Sequence, residues 1–149
     1  MKPVNEMKME FLSLPANVAF ARVAVAAFAS QLDFTLADLE EIKVAVSEAV
    51  GNAIIHGYGG ATDKKVRLSA FLSREAIEIV VEDDGRGIED VKKALEPAYS
   101  TDPGRLGLGF VFMQSFMDYL EVNSVPGQGT SVIMGKRLGA KAASAVPEQ

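Results

Sequence analysis

Cysteine is absent from this 149-residue chain, which excludes disulfides and thiolate metal sites and agrees with a cytoplasmic protein. Basic charge is also scarce: 15 Lys and Arg face 20 Asp and Glu, a net charge of −5. Nucleic-acid surfaces need clustered Lys and Arg, so no direct nucleic-acid partner is expected. Long hydrophobic runs are missing as well. The nearest is "VAFARVAVAAFAS", Val18 to Ser30, but Arg22 interrupts it and Glu6 and Glu10 precede it. A secretory signal has a basic start and an unbroken apolar stretch, and a membrane span needs about 20 apolar residues. The segment therefore reads as a buried helix, with no membrane partner expected. Nothing repeats internally. What is present is ordinary for a soluble globular protein, with 48% apolar and 23% charged residues. The length suits a single domain over 1–149, with a small, polar tail from Gly139 that is expected to fray.

Periodicity outlines the elements. "KMEFLSL" reads as a first strand, followed by a helix from about Asn17 to Leu32. Thr35 with Asp38 forms a capping box for a second helix, whose apolar stripe is Leu39, Ile42, Val46, Ala49 and Ala53. "KVRLSAFLS" and "AIEIVVED" form a hairpin turning near Arg74. A helical stub from Asp90 to Glu96 leads into the Gly- and Pro-rich loop "PAYSTDPGRLGLG". "GFVFMQSFMDYL" is then helical, and "LEVNSV" and "TSVIMGKRL" make a last hairpin across "PGQG". Grouped helices with paired hairpins predict an α+β two-layer sandwich, a mixed, mostly antiparallel sheet with helices on one face.

Three constellations can carry chemistry. On the second helix Glu48 and Asn52 lie one turn apart, nearly opposite the apolar stripe. Val44, Gly51 and Ile55 share their face, which predicts a cover over it. Gly51 costs about 1 kcal/mol relative to Ala in a helix interior, so a close approach of backbone or ligand is a reasonable motive. The plainer reading is a polar helix edge beside a dimer contact. Next, "DDGRGI", Asp83 to Ile88, ends a strand with an acid able to accept from an exocyclic amine and with Gly85 and Gly87 allowing a flat ligand close approach. Taken alone, a strand-ending turn with Asp and Gly is the commoner explanation of this motif. Last, "GRLGLGF" opens a helix, where glycine N–H groups and the helix dipole favour phosphate. Arg105 adds charge there. No Gly-Lys-Ser/Thr follows, so it is not a Walker A loop.

In this order, and closed by "GQGTS", the motifs resemble the Bergerat ATP-binding fold shared by gyrase, Hsp90, histidine kinases and MutL. "VSEAVGNAIIHGY", "DDGRGI", "GLGFVFMQSFMD" and "PGQGTS" together resemble the anti-sigma F factors of spore-forming bacteria, serine kinases of that superfamily, from about Met9 to Leu138. The resemblance implies a homodimer that binds Mg2+ and ATP or ADP, holds the sporulation sigma factor F inactive, and phosphorylates a serine of an anti-anti-sigma protein of the STAS class. It implies Asn52 as the magnesium ligand and Glu48 as general base. Asp83 would recognise adenine with Gly85, Gly87 and Thr130, while Gly107 and Gly109 line the phosphates. Arg105 would stabilise the γ-phosphate, and Arg22 would sit on a face used by protein partners.

Phosphoryl transfer is largely positioning and charge neutralisation, which suits this set. Two positions depart from the family: Gly51 stands where Thr is expected, and Asp102 where Lys is frequent. His56, the sole histidine, reads as packed near a helix C-terminus rather than as a phosphoacceptor, because no separate dimerisation helix carries it. Two rivals share parts of this pattern. One is a general-stress anti-sigma kinase; the other is a non-catalytic ATP-dependent sigma-binding module, which need not retain Glu48.

Overall fold

A computed structural model describes residues 2–96 and 106–139. Strand β1 (Asn5–Leu12) is followed by helices α1 (Ala16–Ala29) and α2 (Leu36–Asn52), and α2 runs on into a π-helical turn, Ala53–Gly57. Strands β2 (Lys65–Leu72) and β3 (Ala76–Asp83), a short α3 (Val91–Ala94), α4 (Leu106–Phe116) and strands β4 (Tyr119–Val125) and β5 (Gly129–Arg137) complete the order. The sheet runs β1-β2-β3-β5-β4. The expected two-layer arrangement with a mostly antiparallel sheet is present, and every pairing among the described strands is antiparallel.

Alternation decides which face is covered. On β2, Val66, Leu68, Ala70 and Leu72 are buried, and on β3 Ile77, Ile79 and Val81 are buried, while the intervening residues are not. With a side-chain period of two, this places one face against the helices. Ala21, Val25 and Ala29 of α1, Ile42, Val46, Ala49 and Val50 of α2, and Phe110 and Met113 of α4 close the same core. The capping box forms as read: the Asp38 N–H donates to Thr35 Oγ1 at 3.0 Å and the Thr35 N–H to Asp38 Oδ2 at 3.2 Å. Lys136 is buried and donates to Glu41 Oε1 at 2.9 Å and to the Phe116 carbonyl at 2.6 Å, fastening the end of α4 to α2.

Several boundaries move. The first strand begins at Asn5 and the first helix ends at Ala29. The stub shrinks to a single turn, its side-chain cap Asp90 Oδ1 accepting from the Lys93 N–H. The last helix stops at Phe116, releasing Tyr119 and Leu120 into β4. The tail from 140 onward lies outside the described residues.

Two expectations for α2 are corrected. A Cβ built on Gly51 meets nothing within 4 Å, so no backbone approach among the described residues explains that glycine. The predicted cover is also missing among the described residues, since Val44 is 37% and Ile55 58% exposed. The helix also ends differently from an α-helix: the Tyr58 N–H reaches back five residues to the Ala53 carbonyl at 2.9 Å. This wider turn defines a π-bulge, a form frequent at functional sites.

Candidate nucleotide site

Where α4 crosses α2, Gly109 is buried against two polar side chains. A Cβ at Gly109 would lie 3.0 Å from Glu48 Oε1, 3.1 Å from Asn52 Nδ2 and 3.3 Å from Asn52 Oδ1. The carboxylate and the carboxamide thus converge on one point, and only a residue without a side chain leaves that point open. The Asn52 amide nitrogen is buried without a hydrogen-bond partner among the described residues. Such a buried donor costs about 1–3 kcal/mol unless something satisfies it.

Alongside this corner runs a narrow cleft, walled by the apolar Ala49, Ala53, Val81, Ile88, Phe110 and Val132 and bordered by Asn52, His56, Gly57, Asp83, Gly87 and Thr130. An apolar slot with a few fixed polar groups suits a flat heterocycle. Asp83 supplies the principal acceptor. Its carboxyl is buried, and burial pushes its pKa above the ordinary value, against the opposing effect of backbone N–H groups of Gly85 and Thr130. The Gly85 N–H donates to Asp83 Oδ1 at 2.8 Å. A buried carboxylate held at the end of a slot can accept from a ligand amine.

The glycines of the strand-end motif are required by contact. A Cβ on Gly85 would come 2.0 Å from the Gly57 carbonyl oxygen. Gly87 has φ +76°, and a Cβ there would come 2.4 Å from the Val125 carbonyl oxygen. L side chains rarely adopt that backbone region. The loop therefore wedges between the π-turn and the β4–β5 hairpin. Thr130 is held by its hydroxyl contact with Ser124 Oγ at 2.8 Å, and Ser124 Oγ in turn accepts from the Ile88 N–H at 2.7 Å.

The structure thus brings together Glu48, Asn52 and Gly109 at one corner, and Asp83, Gly87 and Thr130 at the adjoining cleft; Gly85 is not among the residues lining the cleft and reaches it only through its N–H bond to Asp83. Gly107 lies in the first turn of α4. Arg105 and Asp102 lie outside the described residues. Arg22 is half-buried on α1 between the exposed Phe20 and Val23 and is not among the residues lining the cleft. His56 occupies the π-turn and borders the cleft, closer to the site than its reading as a packed helix-end residue implied.

Sequence reasoning missed Tyr58, Arg67, Asp84 and Ser124. Arg67 Nη1 and Nη2 donate to Asp84 Oδ2 and Oδ1 at 2.8 and 3.0 Å. Their one legible signal is strand alternation, which puts Arg67 and its register partner Glu82 on the uncovered face of the sheet.

The donor set fits magnesium nucleotide. No group of three or more His, Cys, Asp or Glu that could cage a metal occurs among the described residues. Magnesium does not need one, since it keeps several waters and uses one or two protein oxygens together with substrate phosphates. The Asn52 carboxamide offers such an oxygen, and its orphaned N–H can donate to a phosphate.

This fold and cleft define a nucleotide-binding class, and the family described as histidine kinase-like ATPase domain matches residues 11–136. The blue-light activated histidine kinase of Erythrobacter litoralis EL346 superposes with a TM-score of 0.54 at 29% identity, over 71% of this chain and 32% of that chain. Among curated relatives, the anti-sigma F factor of Clostridium novyi (strain NT) is 54% identical over 136 residues, 90% of this chain and 95% of that protein. The anti-sigma F factor of Thermoanaerobacter sp. (strain X514) is 50% identical over 141 residues, 93% and 98% of the two chains. The chain belongs to the anti-sigma F factor family.

Proposed function

We propose that this chain is an ATP-dependent protein serine kinase that also binds and inhibits sigma factor F, its kinase substrate being a serine of an anti-anti-sigma protein of the STAS class. The observation that carries the catalytic half is the meeting of Glu48 and the orphaned Asn52 amide at the Cβ-free position of Gly109, beside a slot that ends in Asp83. Magnesium, when bound with ATP, would neutralise phosphate charge and align the phosphates. Asn52 would hold that ion through its carboxamide oxygen. Glu48, at the same corner, takes the proton from the incoming serine hydroxyl, and Asp83 fixes the adenine edge. Arg105, carried over from the family resemblance, supplies positive charge at the γ-phosphate.

The regulatory half is supported by the curated relatives, whose names are those of anti-sigma F factors. An apolar patch on the first helix fits a protein-binding or self-association face: Phe20 and Val23 are 56% and 58% exposed and flank Arg22. A homodimer through or beside this face is part of the proposal. No helix among the described residues is long and apolar enough to cross a membrane, and the cytoplasm is the proposed location.

The test is incubation of the chain with labelled ATP, sigma factor F and a STAS protein, scoring phosphoserine and complex formation. Glu48→Gln should keep ATP binding and the sigma complex while losing phosphoserine. Normal phosphorylation by that variant would remove Glu48 from its role. Capture of a stress sigma factor in preference to factor F would move the chain to the general-stress branch.

A further inference from the structure

Tyr58, the first residue after the π-turn, ties three segments together through one hydroxyl. The group donates to the Lys65 carbonyl at 2.6 Å, at the start of β2, and accepts from the Asp84 N–H at 2.8 Å, at the end of β3. The peptide plane containing the Asp84 N–H also contains the Asp83 carbonyl. Holding that N–H therefore fixes the backbone rotation that aims the Asp83 side chain. A second restraint acts on the same residue, because Arg67 grips the Asp84 carboxylate through two parallel bonds at 2.8 and 3.0 Å. A third comes from the residue preceding Tyr58. The Gly57 backbone lies so close that a Cβ there would be 2.8 Å from Asp83 Oδ1, and the Gly57 carbonyl accepts from the Arg86 N–H at 2.9 Å.

We infer that Tyr58, braced by the Arg67–Asp84 pair, is the positioning residue that sets where the Asp83 carboxylate stands, and through it how strongly the site selects a purine bearing a 6-amino group. Tyr58 is not among the residues lining the cleft; it acts through Asp83. The inference rests on Asp83 accepting from the adenine amine, as proposed above. Both hydrogen bonds of the hydroxyl, to the Lys65 carbonyl and from the Asp84 N–H, lie at exposed positions, so water can replace a lost hydroxyl there. Removing the Tyr58 hydroxyl therefore loosens the aim of Asp83 more than it destabilises the fold.

The experiment compares dissociation constants for ATP and for purine riboside triphosphate, which lacks the amine, in the wild-type chain, Tyr58→Phe and Asp84→Asn, with thermal melts alongside. The wild-type chain should prefer ATP. Tyr58→Phe should weaken ATP by about 3- to 10-fold, the loss typical of one hydrogen bond, while the amine-free analogue changes by less than about twofold, so the preference narrows. Asp84→Asn, which weakens the Arg67 grip and spares the hydroxyl, should narrow it in the same direction by a smaller factor. An unchanged ATP preference in Tyr58→Phe, or an equal loss for both nucleotides, overturns the inference and leaves Tyr58 a merely structural residue. Absence of any preference in the wild-type chain overturns the adenine reading of Asp83 itself. Should Tyr58→Phe fail to fold, an Asp84→Asn variant with unchanged preference overturns the inference on its own.

Discussion

Replacing Gly109 by alanine should separate stability from activity. The new methyl would stand 3.0 Å from Glu48 Oε1, 3.1 Å from Asn52 Nδ2 and 3.3 Å from Asn52 Oδ1. Each contact falls short of ordinary van der Waals distance by a few tenths of an ångström. The α2 backbone has little freedom to yield, because Ala45, Val46 and Val50 are fully buried beneath it. The displacement therefore falls on the Glu48 and Asn52 side chains. A 1 Å misplacement at a reacting centre costs about 100-fold, so a shift of a few tenths should slow phosphoserine formation by about 5- to 10-fold. Stability should move the other way. Alanine is favoured over glycine in a helix interior by about 1 kcal/mol, which for a chain of this size raises the melting temperature by about 3 °C. Parallel thermal melts and transfer assays read both quantities. A variant that transfers phosphate at the wild-type rate would refute the convergence of the two side chains at that point, and a melting temperature lowered by several degrees would show that the strain had gone into the fold.

Gly85→Ala should behave oppositely, since its Cβ would stand 2.0 Å from a backbone oxygen of Gly57 and side-chain adjustment cannot relieve the contact. We expect a loss of about 3 kcal/mol in urea unfolding together with loss of nucleotide binding. The Arg67–Asp84 pair predicts an effect at acid pH. The Arg67 hydrogen bonds hold the Asp84 carboxyl below the usual carboxylate value, so the unfolded chain binds that proton more readily than the folded one. The pair's stabilisation is therefore in place above about pH 4 and drains away as pH falls through the depressed value. Asp84→Asn should flatten the acid limb of the melting curve, and only slightly, because the Arg67 and Asp84 side chains are 38% and 65% exposed. An acid limb identical to wild type would show that the pair contributes nothing to stability.

Much of the fold was legible in local patterns. Thr35 and Asp38 announced the start of α2, and the alternation of β2 and β3 announced which of their faces is buried. The position of Asp83 at a strand end and the two-residue rhythm of Gly85 and Gly87 likewise survive in the structure. Other features depend on contacts between segments distant in sequence, which no local pattern encodes. Gly51 reads as a site of close approach because helix propensity penalises glycine, yet among the described residues nothing stands beside it. Gly109 reads in sequence as one of a pair with Gly107 lining the phosphates, yet it is the glycine against which Glu48 and Asn52 converge. Tyr58, Arg67 and Asp84 gave no catalytic signal at all, because their importance comes from a tyrosine hydroxyl reaching strands that begin and end far along the chain. Helix periodicity also predicted a regular end to α2, and a hydrogen bond spanning five residues cannot be read from apolar spacing.

The π-turn at Ala53–Gly57 has a consequence for chain length. An α-helix closes each hydrogen-bonded loop over four residues, and here the loop from Ala53 to Tyr58 takes one more. That surplus residue acts as a phase shift. Without it, Gly57 and Tyr58 would arrive about 100° earlier around the helix axis, and neither the Gly57 backbone nor the Tyr58 hydroxyl would face the end of β3. The number of residues between Asn52 and Tyr58 is thus constrained more tightly than their identity. Substitution at the exposed Ile55 can be absorbed by its own side chain, but the insertion or loss of a single residue rotates Asn52 and the Gly57 and Tyr58 contacts with the end of β3 out of step with each other.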